Sequence, residues 1–111
     1  MRRKSEFDAV YRRGQRISDS LFTLNYLPNS LGVPRLGLAV AARTAGPAVA
    51  RNRIRRLVRE SFRLARRSLP EADIVVGVRA AVRDAKNDRL RNSLDALWVR
   101  LQQACARSSK V

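Results

Sequence analysis

With 111 residues, of which 45% are apolar, the chain holds material for one modest core, and a single domain is expected. A formal net charge of +15 marks a protein that stays dispersed by self-repulsion and seeks polyanions. Histidine is absent and Cys105 is the only cysteine, which excludes intrachain disulfides, Cys/His zinc sites and any mechanism that needs imidazole.

The opening Met1-Arg2-Arg3-Lys4 runs into Ser5-Glu6-Phe7-Asp8 rather than an apolar stretch, so no secretory signal is expected. No segment approaches the ~18 apolar residues that span a bilayer. A cytoplasmic protein without a membrane partner is the expectation.

Ser5 to Arg13 reads as a short helix with Ser5 as N-cap, Phe7, Val10 and Tyr11 on neighbouring positions, and Gly14 as its end. Gln15 to Asp19 fits a short strand. Leu21 to Leu27 fits a better one, with Phe22, Leu24 and Tyr26 on one side and the more polar set Leu21, Thr23, Asn25 and Leu27 on the other. Pro28 to Pro34 is turn material. Arg35 to Ala41 reads as a strand whose apolar character on both sides suggests a central place in a sheet.

Thr44-Ala45-Gly46-Pro47 breaks the chain, with Pro47 suited to a first helical turn. A helix is then predicted from about Ala48 to Arg67, stopped by Pro70. Ile74 to Val78 reads as a strand buried on two sides, and Asn87-Asp88 introduces a last helix with Leu90, Leu94, Leu97, Trp98, Leu101 and Cys105 on one stripe. Trp98 reads as a core anchor, Cys105 as a small buried apolar residue, and Arg107 to Val111 as a frayed tail. Helix, three strands, helix, strand, helix is the pattern of an α+β sandwich: a sheet of about four strands with helices against it.

The segment Arg51-Asn52-Arg53-Ile54-Arg55-Arg56-Leu57-Val58-Arg59-Glu60-Ser61-Phe62-Arg63 carries the functional signal. At about 100° per residue, Ile54, Leu57, Val58, Ser61, Phe62, Leu64 and Ala65 share one arc that can pack on a core. Asn52, Arg53, Arg55, Arg56, Arg59, Arg63, Arg66 and Arg67 fan over the other, with Arg51 at its edge. A merely solvated face interleaves acids at i,i+4 spacing, yet Glu60 is the only acid between Arg51 and Arg67. Guanidinium groups stay charged, offer planar donor forks and stack on bases, so this face suits phosphate and nucleobase contact. If about six cations displace counterions, log affinity should fall with log salt at a slope of roughly −4 to −5.

That segment resembles the arginine-asparagine-arginine signature of the bacterial ribonuclease P protein subunit, and its context does too: Glu6-Phe7 with Val10 and Gly14, Gly37-Leu38-Ala39-Val40, and Gly46-Pro47-Ala48-Val49. The likeness covers nearly the whole chain. It implies a two-layer α/β sandwich of three helices and a mixed, about four-stranded sheet in the order α-β-β-β-α-β-α, with a left-handed β-α-β crossover where periodicity alone would give the usual right-handed one. It also implies a single RNA-binding domain that serves as protein cofactor of a ribonucleoprotein endonuclease. In that enzyme the RNA subunit carries out the Mg²⁺-dependent hydrolysis that removes the 5′ leader of precursor tRNA.

The partners so implied are ribonuclease P RNA and precursor tRNA, with no small-molecule substrate. Arg51, Arg53, Arg56 and Arg59 are the candidates for phosphates of the catalytic RNA, with Arg43 standing where the family often carries a serine and lysines. Phe7, Tyr11, Thr23 and Asn25 would line a leader groove between first helix, sheet and arginine helix, with Asn52 and Arg55 nearby. Asn25 takes the place of an aromatic residue frequent in the family, so leader stacking would lean on Phe7 and Tyr11.

Independently of the resemblance, metal-ion hydrolysis of a phosphodiester needs clustered oxygen ligands, and the nine acids are scattered, with Glu6/Asp8 and Glu71/Asp73 as the only close pairs off the last helix's start. No catalytic or metal-binding residue is expected in the chain. The alternative readings are a ribosomal or general structured-RNA-binding protein, a DNA-binding protein, for which no helix-turn-helix spacing speaks, and an independent nuclease.

Overall fold

Four strands form one mixed sheet in the computed structural model, which describes residues 3–109. They are β1 (Gln15–Ser18), β2 (Phe22–Pro28), β3 (Arg35–Ala39) and β4 (Ala72–Val78), in the spatial order β1-β2-β4-β3. The β1/β2 and β2/β4 pairs are antiparallel, whereas β3 and β4 run parallel. A parallel pair cannot be closed by a tight turn. The connection is made by a short helix α2 (Ala42–Ala45) and the arginine-bearing helix α3 (Ala48–Ala65). Helices α1 (Lys4–Arg13) and α4 (Asn87–Ser109) open and close the described chain.

Register sorts the side chains onto two faces. Phe22, Leu24 and Tyr26 of β2 stand opposite Val78, Val76 and Ile74 of β4, and Leu36 and Leu38 of β3 continue the row. Against this face pack Ile54, Leu57 and Val58 of α3 and Leu90, Leu94, Leu97, Trp98 and Leu101 of α4, in one continuous core. Fully burying side chains of this size is worth about 1.5–3 kcal/mol each, so this face carries most of the stability. Trp98 anchors it as expected: its indole N–H donates to Ser61 Oγ at 2.9 Å, and Phe62 meets the ring edge-on at 6.1 Å. The hydroxyl of Ser61 therefore belongs on the apolar arc because it satisfies a buried donor.

The other face holds Thr23, Asn25, Val75, Gly77, Arg35 and Gly37, and α1 lies across it. Val10 seats the helix, fully buried, and Val75 beneath is equally buried; neither joins the core on the far side. Gly14 lets α1 pass directly into β1, because a Cβ there would come within 2.4 Å of the carbonyl oxygens of Val10 and Tyr26.

Several expectations are corrected. The cap of α1 is not Ser5: Arg3 precedes the helix, and its backbone N–H donates to the carboxylate of Glu6, the third helical residue. Strand β3 lies at the sheet edge and is mostly half-buried, whereas β4 is the buried central strand. Small residues such as Gly37 and Ala39 look apolar on both sides without being enclosed on both. Leu64, placed on the core arc of α3, is 72% exposed, because α4 covers the Phe62 flank of that helix instead. The α-helix ends at Ala65 and tightens into a 3₁₀ turn over Arg66–Ser68. Helical backbone continues through Ser109, so the frayed tail expected from Arg107 is not seen up to that point; its last two residues lie outside the described ones. Cys105 is half-buried against the core rather than enclosed, and burial pushes its thiol pKa up.

Candidate nucleic-acid interface

Burial of Ile54, Leu57, Val58 and Ser61 fixes how α3 is rolled, and hence where its arginines stand. Arg56, Arg59, Arg63, Arg66 and Arg67 are exposed, as is Asn52, while Arg51, Arg53 and Arg55 are half-buried. Their contacts are few and neutral: Arg53 donates to Asn87 Oδ1 at 2.8 Å, and Arg55 reaches Asn52 Oδ1 at 3.4 Å. The Nε of Arg51 is buried with no hydrogen-bond partner. Among the described residues no arginine from Arg51 to Arg67 forms an ion pair; the ion pairs present involve Arg35 and Arg91. An array of like charges on successive turns repels itself. Left unneutralised by the chain, it is complementary to a polyanion.

Arg43 sits exposed on α2, and its carbonyl accepts from Arg83 Nη2 at 2.9 Å while the neighbouring Thr44 carbonyl accepts from Arg83 Nε at 2.8 Å. Arg83 thereby caps the end of α2. Gly46, at φ +96°, then turns the chain into Pro47 and the start of α3, a conformation that favours glycine.

The second sheet face brings Phe7 and Tyr11 of α1 together with Thr23 and Asn25 of β2. Tyr11 is 48% exposed and Phe7 half-buried, one helical turn apart on α1; Thr23 is half-buried and Asn25 buried. Gly77 makes room for Thr23, since a Cβ at position 77 would lie 2.5 Å from Thr23 Oγ1. Burial raises the phenol pKa of Tyr11, with the charge of Arg16 opposing it, so the phenol stays neutral at physiological pH. Asn52 and Arg55 are not on this face. They belong to α3, whose buried side chains join the core on the opposite face of the sheet.

An ion-pair network that the sequence did not announce holds α1 in place. The guanidinium of Arg35 binds Asp73 through two bonds of 2.7 Å and reaches Glu6 Oε2 at 2.6 Å, and Asn29 adds a bond to Asp73 Oδ1 at 2.9 Å. The Arg35 fork keeps the Asp73 carboxyl below its ordinary range, and Arg35 is itself held more firmly protonated. Glu6 and Asp73, one from each close acidic pair, are therefore spent on an arginine.

Among solved structures, the fold matches the RNase P protein of Staphylococcus aureus with a TM-score of 0.83 and 28% identity, covering 86% of this chain and 88% of that one. It matches the RNase P protein of Thermotoga maritima with a TM-score of 0.82 and 28% identity, over 90% and 94% of the two chains. A four-stranded mixed sheet with an arginine-rich crossover helix thus defines the class, a small basic protein built like these two. The Ribonuclease P family model matches residues 1–102, and a ribonuclease P protein component from Halorhodospira halophila is 43% identical over 97 residues, 86% of this chain and 80% of the relative. The chain belongs to the ribonuclease P protein family, whose members are protein components of the tRNA-processing ribonucleoprotein enzyme.

Proposed function

We propose that this protein acts as two RNA-binding surfaces on one scaffold. The arginine face of α3 engages phosphates of the ribonuclease P RNA through Arg51, Arg53, Arg56 and Arg59, with Arg43 at its margin. The second sheet face receives the single-stranded 5′ leader of precursor tRNA on Phe7, Tyr11, Thr23 and Asn25, and Asn52 and Arg55 of α3 extend the contact. The observation that carries this reading is that, among the described residues, the arginines of α3 have no carboxylate partner. Base stacking on Phe7 and Tyr11 is sequence-tolerant and worth about 1–3 kcal/mol per base, which suits leaders of varied sequence.

At least three of the chain's nine carboxylates have internal partners. Glu6 and Asp73 are engaged by Arg35. Asp19 accepts the Leu21 and Phe22 amides and the Ser93 hydroxyl, and the described residues hold no group of three or more potential ligands. Mg²⁺ belongs with the catalytic RNA in this reading. The protein's cations screen phosphate repulsion, letting folded RNA and substrate approach at a lower Mg²⁺ concentration.

Incubating precursor tRNA with the catalytic RNA at low Mg²⁺, with and without this chain, tests the whole. Leader removal only when both are present is the expected result. Cleavage by the protein alone would instead reveal a nuclease, and no effect would favour a general RNA-binding role. Phe7→Ala with Tyr11→Ala should weaken binding of leader-bearing precursor and leave mature tRNA binding unchanged; equal losses for both would remove the leader surface.

A further inference from the structure

A second set of arginines converges away from α3, on the turn that joins β1 to β2. Arg79, just past β4, donates through Nη2 to Ser18 Oγ at 3.2 Å. Arg100, in the middle of α4, donates through Nη1 to the Ser18 carbonyl at 2.9 Å. Arg89, in the first turn of α4, reaches Ser20 Oγ at 3.5 Å. Two elements far apart in the sequence, the end of β4 and helix α4, thus bring three guanidinium groups onto Ser18 and Ser20, and all three arginines are exposed.

The acid in the middle of that turn does not neutralise them. Asp19 gives one carboxylate oxygen to the Leu21 and Phe22 amides, both at 2.9 Å, and the other to the Ser93 hydroxyl. Burial alone would raise its pKa. The bonds from Ser93 and the two amides outweigh that and leave it lowered, with Arg100 near enough to contribute its charge, though outside ion-pair distance. The turn is therefore a rigid platform, and the arginines on it are held by hydroxyl and carbonyl oxygens. Such anchoring limits the rotamer freedom of a long side chain while leaving its charge and several N–H donors unused.

We propose that Arg79, Arg89 and Arg100 form a second phosphodiester-binding surface, separate from the arginine helix. The inference rests on the reading of this protein as an RNA-binding component, and it adds a site to that reading. Position argues for separateness: β1 is one edge strand and β3, which leads to α3, is the other. Helix α4 links the two areas, since Asn87, two residues before Arg89, accepts from Arg53 of α3. In this proposal the set at the β1 edge and the arginine helix hold two stretches of RNA backbone. These are two segments of the ribonuclease P RNA, or one segment of it and one of precursor tRNA.

The test compares the full-length wild type with R79Q/R89Q/R100Q, measuring affinity for ribonuclease P RNA alone and for precursor tRNA alone across a salt series. Losing three phosphate contacts should flatten the slope of log affinity against log salt by about 2 to 3 for one of the two RNAs, and the RNA affected identifies the source. R79K/R89K/R100K, which keeps the charge, should retain the slope. Where the glutamine variant melts well below wild type, R89Q, whose anchoring contact is the longest of the three, substitutes for it with a flattening of about 1. Unchanged slopes for both RNAs, while R51Q/R53Q/R56Q flattens them in the same assay, would overturn the second surface alone. Unchanged slopes for both sets of variants would overturn the RNA-binding reading and this site with it.

Discussion

Arg35 and the arginines of α3 carry the same side chain and lead opposite lives. Arg35 is held by Asp73 and Glu6, with Asn29 bonded to Asp73 in turn, and its charge is consumed in joining α1 to two strands. Among the described residues the arginines from Arg51 to Arg67 pair with no carboxylate, and their side-chain bonds go to the amide oxygens of Asn87 and Asn52. A guanidinium with internal partners supports the fold; one without them is available to a ligand. Carboxylate pairing, more than exposure, separates the two populations: Arg51 and Arg35 are both only part-exposed, and their surroundings differ entirely.

That contrast breaks most readily under neutralisation. R51Q/R53Q/R56Q should lower affinity for the catalytic RNA at physiological salt by roughly 100-fold and flatten its salt slope by about 2 to 3. The melting temperature should stay within a few degrees of wild type, because no ion pair is lost. Calorimetry alongside the salt titration checks both halves; a large drop in stability would show that these arginines are structural after all. Arg35→Met should do the reverse. Removing one partner of a buried ion pair costs about 3–5 kcal/mol, and exposed pairs far less; the side chains here are 32%, 24% and 12% exposed for Arg35, Glu6 and Asp73. A loss of about 2 kcal/mol is therefore expected by thermal or urea unfolding, with the salt slope of the folded fraction unaltered.

Acid sharpens the same division. The carboxyls of Asp73 and Asp19 titrate below their ordinary range in the folded protein, so their stabilisation is present above the unfolded value near pH 4 and is lost as pH falls through the lower folded values. Melting temperature should hold from pH 7 to about 4.5 and decline below it. Asp73→Asn should be less stable than wild type at pH 7, and the gap should narrow toward pH 2.5. A gap independent of pH would show that the Arg35 pairing contributes nothing through charge.

The arginine face was legible because it is local: a 3.6-residue period read over Arg51 to Ala65 gives both the buried arc and the cationic one. So were the existence of all four strands and the role of Trp98. Strand order was not, since the sequence β1-β2-β4-β3 depends on pairings between residues tens of positions apart, and the small side chains of β3 disguise an edge strand as a central one. The same holds for Arg35, whose partners Glu6 and Asp73 have no common spacing with it. Phe7, Tyr11, Thr23 and Asn25 were grouped with Asn52 and Arg55 from the sequence, whereas the first four stand on α1 and β2 and the other two on α3, because a linear reading cannot tell which face of a sheet a crossover helix will cover.

Two asparagines give the smallest and most discriminating comparison. Asn29 donates to Asp73 Oδ1 at 2.9 Å and to the Val33 carbonyl at 3.3 Å, and accepts the Leu31 amide at 3.0 Å, so it fastens the β2–β3 loop onto the Arg35 network. Asn52 is exposed and has one long contact, from Arg55 at 3.4 Å. Their side chains differ in nothing but surroundings. Asn29→Ala should therefore cost about 1–2 kcal/mol of stability, the range for several net hydrogen bonds of which one is to a charged group, with RNA affinity intact. Asn52→Ala should change stability by less than about 0.5 kcal/mol, as exposed substitutions generally do, and should weaken RNA binding severalfold. A stability loss at Asn52 as large as that at Asn29 would mean that the asparagine between the two arginines serves α3 itself rather than what α3 meets.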